Sequence, residues 1–158
     1  MIKWLKIIIN IINTVKPWVQ DYVIPAIRTI NAIKLMVREE GRDVRALLYR
    51  VFKNDAKVDK AINMLAIAIR VLDETSECFN QPTPMETIQC FMQAARKKDK
   101  RTQRHIWRSL AKSVIRQSTP GKQWDEHELN LAVEIAYAID KKERKSKAID
   151  ITASIFSM

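Results

Sequence analysis

Glycine and cysteine are both scarce in this sequence. The chain has 158 residues but only 2 glycines and 2 cysteines. Glycine supplies the positive φ angles of tight hairpins. The presence of only two glycines therefore argues against a fold with many β-hairpins. A glycine-rich phosphate-binding loop is excluded for the same reason, since it needs several closely spaced glycines.

The two cysteines form no recognisable metal-binding or redox motif. Cys78 and Cys90 are too far apart in sequence for a CxxC pair, and two cysteines make no disulfide framework. We expect free thiols, as in an intracellular reducing compartment or a virion. A zinc site that adds His105 and His127 would need spacings unlike any compact ligand pattern, so we predict no metal and no cofactor.

Long apolar runs are also missing. No stretch reaches about 18 uninterrupted apolar residues, so we predict no standard transmembrane helix. The N-terminal apolar run is interrupted by Asn10 and Asn13, and no small-residue cleavage site follows it. These features argue against a secretory signal peptide.

Residues that could form a catalytic centre are few and poorly spaced. Neither His105 nor His127 has a carboxylate or a cysteine at a motif spacing, so both are expected at the surface. The adjacent acids at 39–40 and 125–126 are better explained as helix ends. We therefore predict that the protein is not an enzyme and has no catalytic residues.

The apolar periodicity of the chain is helical. Hydrophobic residues make up 47% of the sequence, which is enough to form a core. We predict an all-α fold: a compact bundle of about six or seven helices, with a long and strongly apolar N-terminal helical segment. Residues 1–40 would be the N-terminal docking segment, and residues 41–158 would be the bundle domain.

Local signals indicate where several helices begin. Thr83 followed by Glu86, and Asp125 followed by Glu128, are N-cap signatures. Pro25 predicts a kink or a break in an early helix, because proline lacks a backbone N–H.

The first forty residues carry more apolar surface than an ordinary amphipathic helix. Their polar side chains keep to a narrow stripe, a pattern found both in membrane-surface helices and in helices buried among partner helices. Recurring asparagines on that stripe favour burial, in the protein's own fold or in an oligomer. The candidate residues for assembly or membrane docking are Trp4, Leu5, Ile8, Ile11, Ile12, Val15, Trp18, Ile27 and Ile30.

The net charge is +10, and most of it falls within one short stretch. From Arg96 to Arg116 there are nine basic residues and one acidic residue, which gives a local net charge of +8. Clustered cations repel one another, so they favour a role toward an anionic partner, although they are also compatible with an ordinary solvated helix face. The candidate anion-binding residues are Arg96, Lys97, Lys98, Lys100, Arg101, Arg104, Arg108, Lys112 and Arg116.

Together these patterns favour a non-catalytic structural or adaptor subunit of a larger assembly, such as a phage or virus particle. It would form a homo-oligomer or contact other subunits through its N-terminal helix and present its basic face to an anionic partner. One alternative is a nucleic-acid-binding module that uses the basic helix. Another is a membrane-associated or lysis protein that acts through residues 2–36.

Overall fold

The structure is a computed structural model that describes residues 6, 18–39, 43–72 and 77–156. Beyond Lys141 it describes the backbone alone. The described residues contain six α-helices and no strand, which confirms the predicted all-α class. The helices are α1 (Ile24–Arg38), α2 (Val44–Phe52), α3 (Asp55–Leu72), α4 (Pro84–Arg96), α5 (Lys100–Ser118) and α6 (Glu126–Phe156).

One hydrophobic core joins the helices. Helix α3 packs against both α4 and α5, while α1 contacts α2, α4, α5 and α6. Every helix contributes fully buried large side chains to this core, because each helix turns its apolar stripe inward. They include Ile33 of α1, Leu48 of α2, Leu65 of α3, Ile88 of α4, Leu110 of α5 and Leu129 of α6.

The predicted N-caps are confirmed. The Thr83 hydroxyl accepts a hydrogen bond from the Glu86 N–H at 3.2 Å and starts α4. The Asp125 carboxylate accepts one from the Glu128 N–H at 2.7 Å and starts α6. Each cap satisfies a backbone donor that the first turn of a helix leaves without a partner.

Pro25 neither breaks nor interrupts the helical chain. A short π-helix, Val19–Val23, leads directly into α1, and Pro25 lies in the first turn of that helix. The missing N–H is harmless there, because first-turn amides have no partner within the helix. The expected break is therefore absent, and the backbone changes from π to α geometry just before Pro25.

The predicted N-terminal docking residues fall into two groups. Trp4, Leu5, Ile8, Ile11, Ile12 and Val15 lie outside the described residues. Ile27 and Ile30 are fully buried in the core, so in this fold they pack against the protein's own helices and are not free to contact a partner.

Trp18 lies between these two groups in the sequence, and its side chain is described. Its half-buried ring is 5.6 Å from that of Tyr22, and the Lys122 ammonium lies 5.9 Å from its centroid. Within the part of the chain that the structure describes, no helix has both the length and the hydropathy of a membrane span.

The expectation of free thiols was wrong. Cys78, in a short 3₁₀-helix at Glu77–Asn80, forms a disulfide with Cys90 of α4. The loop before α4 folds back on that helix and brings the two Cα atoms to 5.5 Å, a distance typical of disulfides. Their sequence spacing could not reveal this proximity. The disulfide does not by itself indicate a compartment.

Candidate anion-binding surface

Helix α5 has one apolar face and one basic face. Trp107, Leu110 and Val114 are buried against the rest of the bundle, as the spacing of apolar residues predicts. Arg101, Arg104 and most other basic side chains of the helix point outward. The apolar face fixes the orientation of α5, and this orientation determines which cations reach solvent.

Helix α6 supplies carboxylate partners for the C-terminal half of the basic face. Lys112 Nζ and Arg116 Nη2 each lie 2.9 Å from a carboxylate oxygen of Glu126. Arg108 forms an ion pair with Glu134, which lies about two turns beyond Glu126 on α6. These three candidate residues therefore join α5 to α6.

These contacts alter the ionisation of Glu126. The hydrogen bond and charge of Lys112, followed by those of Arg116, hold the pKa of Glu126 below its ordinary value. The carboxylate therefore stays charged to a lower pH than an isolated glutamate, and it remains paired with both cations over that range.

The N-terminal half of the basic stretch is different. Five exposed cations have no ion pair with any residue that the structure describes. They lie at the turn between α4 and α5 and along the first turns of α5. We call this surface the basic corner; it consists of Lys97, Lys98, Lys100, Arg101 and Arg104.

Asp99 is the one acid within the basic corner, and it has a structural role. Its carboxylate accepts a hydrogen bond from the Thr102 N–H at 2.9 Å and so forms the N-cap of α5. That hydrogen bond, with a smaller contribution from the charge of Lys98, holds the pKa of Asp99 below its ordinary value. Asp99 is therefore an ionised cap.

The position of the basic corner is electrostatically unfavourable for α5. Lys100 and Arg101 lie in the first turn of the helix, and no acid is present in that turn. The N-terminus of a helix carries partial positive charge, so cations there destabilise it slightly. Helix stability therefore does not account for the placement of these two residues.

Arg96 contacts another helix and is not included in the basic corner. Its Nε donates a hydrogen bond to the backbone carbonyl of Val37 at 3.2 Å. This contact ties the end of α4 to the end of α1, where carbonyl groups lack helical partners. Of the nine predicted residues, four thus make inter-helix contacts and five form the basic corner.

Sequence reasoning missed this division. The carboxylates of Glu126 and Glu134 lie on another helix, so the pattern of α5 alone cannot show which cations they contact. Asp99 was also missed as a cap, although an Asp immediately before a helical stretch is an ordinary N-cap signal.

No protein-family model, curated protein or solved structure matches this chain.

The remaining candidates for chemistry stand apart. His105 and His127 are both exposed, on α5 and in the first turn of α6. The disulfide occupies both cysteines, so they cannot serve as zinc ligands with these histidines. Among the described residues, no three potential ligands of the His, Cys, Asp and Glu types cluster closely enough to hold a metal ion.

Proposed function

We propose that this protein is a non-catalytic helical subunit of a larger assembly and that it binds a polyanionic partner through the basic corner. The observation that carries the proposal is the contrast within one basic stretch. Arg108, Lys112 and Arg116 are paired with carboxylates, whereas the five cations of the basic corner are exposed and have no ion pair among the described residues. A partner with several negative charges can compensate the repulsion within this cluster.

Nucleic acid is the polyanion best matched to five cations within eight consecutive residues. Its phosphates are closely spaced along the backbone, and each one neutralised by Lys or Arg releases a counterion. The proposal includes no base recognition. It predicts affinity that depends on salt and is largely independent of sequence.

The direct test is fluorescence anisotropy with a labelled DNA duplex at low salt. We expect Arg101→Glu/Arg104→Glu to weaken binding at least tenfold. Lys57→Glu/Lys60→Glu is the matched control, because it makes the same charge change at exposed positions on α3. Equal weakening by both variants would reduce the effect to net charge and contradict the proposed site.

A labelled poly-glutamate of similar length serves as a second polyanion in the same experiment. If it binds as tightly as the duplex, through the same residues, the partner class is an acidic protein rather than nucleic acid. If neither polymer binds, the basic corner is not a polyanion site.

The assembly part of the proposal rests on the apolar N-terminal sequence. We propose that the protein is located in a virion or in the interior of a cell. Light scattering of the full-length chain should give the mass of a defined oligomer, and Ile8→Glu/Ile12→Glu should reduce it. A monomeric wild type that binds anionic liposomes would favour the membrane alternative instead.

A further inference from the structure

A second cationic site lies away from the basic corner. A cleft of about 510 Å³ opens between α1, α2 and α6, and it shares no lining residue with the basic corner. Four basic residues and one acidic residue line it, which gives a net charge of +3. These are Arg28, Lys34, Arg38, Arg50 and Asp140.

The acidic residue positions part of the cleft wall. The side chain of Asp140 is only 7% exposed. Its carboxylate accepts a hydrogen bond from the Asn31 amide at 2.7 Å, and Arg28 Nε lies 3.7 Å from its other oxygen. These partners offset the buried charge of Asp140, so it presents little repulsion to an incoming anion.

Two arginines at the cleft are available to a ligand. Arg38, in the last turn of α1, and Arg50, in the last turn of α2, are both exposed. Neither forms an ion pair with a residue that the structure describes. A guanidinium group can bind a phosphate through two parallel hydrogen bonds, a geometry that a lysine ammonium cannot provide.

The cleft also has an apolar part. Leu35 of α1 and Leu47 and Val51 of α2 contribute aliphatic side chains to its lining. Its volume is in the range of small-molecule sites, in which apolar walls bury the carbon skeleton and a few polar groups orient the ligand. Inorganic phosphate alone would leave this apolar surface without a partner.

We propose that this cleft binds an organic phosphate. Arg38 and Arg50 bind the phosphate, Asp140 holds Arg28 at the wall, and the aliphatic side chains contact the organic group. This site is independent of the polyanion-binding function, because no residue of the basic corner takes part in it.

Phenyl phosphate is the probe for the test, because it combines one phosphate with one apolar ring. Isothermal titration calorimetry should show one site per chain, and Arg38→Glu/Arg50→Glu should weaken binding at least tenfold. Lys57→Glu/Lys60→Glu is the matched control and should change affinity less than twofold. If charge reversal disturbs the helical content, Arg38→Gln/Arg50→Gln tests the same contacts with a smaller change of charge.

Methyl NMR locates the site. Phenyl phosphate should shift the methyl resonances of Leu35, Leu47 and Val51. Inorganic phosphate, titrated in parallel, should bind at least tenfold more weakly. Absence of phenyl phosphate binding, equal weakening by the control variant, unshifted cleft methyls or equal affinity for inorganic phosphate would each overturn the proposal.

Discussion

At the residue scale, the neighbours of each ionisable side chain determine whether its charge supports the fold or remains open to a partner. Lys112 and Arg104 are both basic residues of α5, yet Lys112 contacts Glu126 of α6 and Arg104 is exposed without such a contact. Their roles differ because of what the fold places beside each of them.

The ion pairs of Glu126 make a pH-dependent contribution to stability. Because the pKa of Glu126 is lowered in the folded state, its contribution is present above the unfolded pKa and is lost as pH falls through the folded pKa. We expect Glu126→Gln to lower the melting temperature at pH 7, and the difference from wild type to disappear in strong acid.

Thermal unfolding followed by circular dichroism measures this difference. In a Lys112→Gln/Arg116→Gln background, Glu126→Gln should have a much smaller effect at pH 7, since its partners are gone. A difference that persists in acid would show that Glu126 acts through something other than its charge.

Substitutions of Asp99 can test its N-cap hydrogen bond and its negative charge separately. Asparagine is as good an N-cap as aspartate, so Asp99→Asn should keep the melting temperature near the wild-type value. The same change removes the one acid within the basic corner and should tighten binding to duplex DNA. Asp99→Ala should lower the melting temperature, because the Thr102 N–H loses its acceptor. Looser DNA binding by Asp99→Asn would contradict the role given to the basic corner.

At the element scale, one face of α5 supports the fold and the other carries the proposed binding site. Its apolar face is buried in the core, and its N-terminal basic residues lie in solvent. This separation could be predicted, because three- and four-residue spacings alone determine which residues share a helix face. The Thr83 and Asp125 caps could be predicted for a similar reason, since an N-cap involves only neighbouring residues.

The two faces of α5 should respond differently to substitution. Leu110 is fully buried, so Leu110→Ala should reduce the free energy of unfolding by about 2–5 kcal/mol through lost burial and a residual cavity. Arg104→Gln should change that free energy by less than about 0.5 kcal/mol. Urea titrations of both variants test this, and a large loss for Arg104→Gln would give that residue a structural role.

At the scale of the whole molecule, contacts between separate segments determine which residues pair and which are buried. The sequence pattern does not predict these contacts. The Cys78–Cys90 disulfide requires the loop before α4 to fold back, and the Asn31–Asp140 hydrogen bond joins α1 to the middle of α6. Neither local propensity nor helical periodicity carries information about such pairs. The same limit explains why Ile27 and Ile30 were expected to dock a partner although they are buried in the core.

We propose that the basic corner, and not the whole basic helix, contacts the polyanion. The most direct measurement is the slope of log K against log salt concentration for binding to duplex DNA. Five phosphate contacts correspond to a slope of about −4.5, and Arg101→Gln/Arg104→Gln should reduce its magnitude by about 2. Lys112→Gln/Arg116→Gln should reduce the slope much less, because those two cations already share the carboxylate of Glu126. An equal reduction by both variants, or a wild-type slope near zero, would contradict the account.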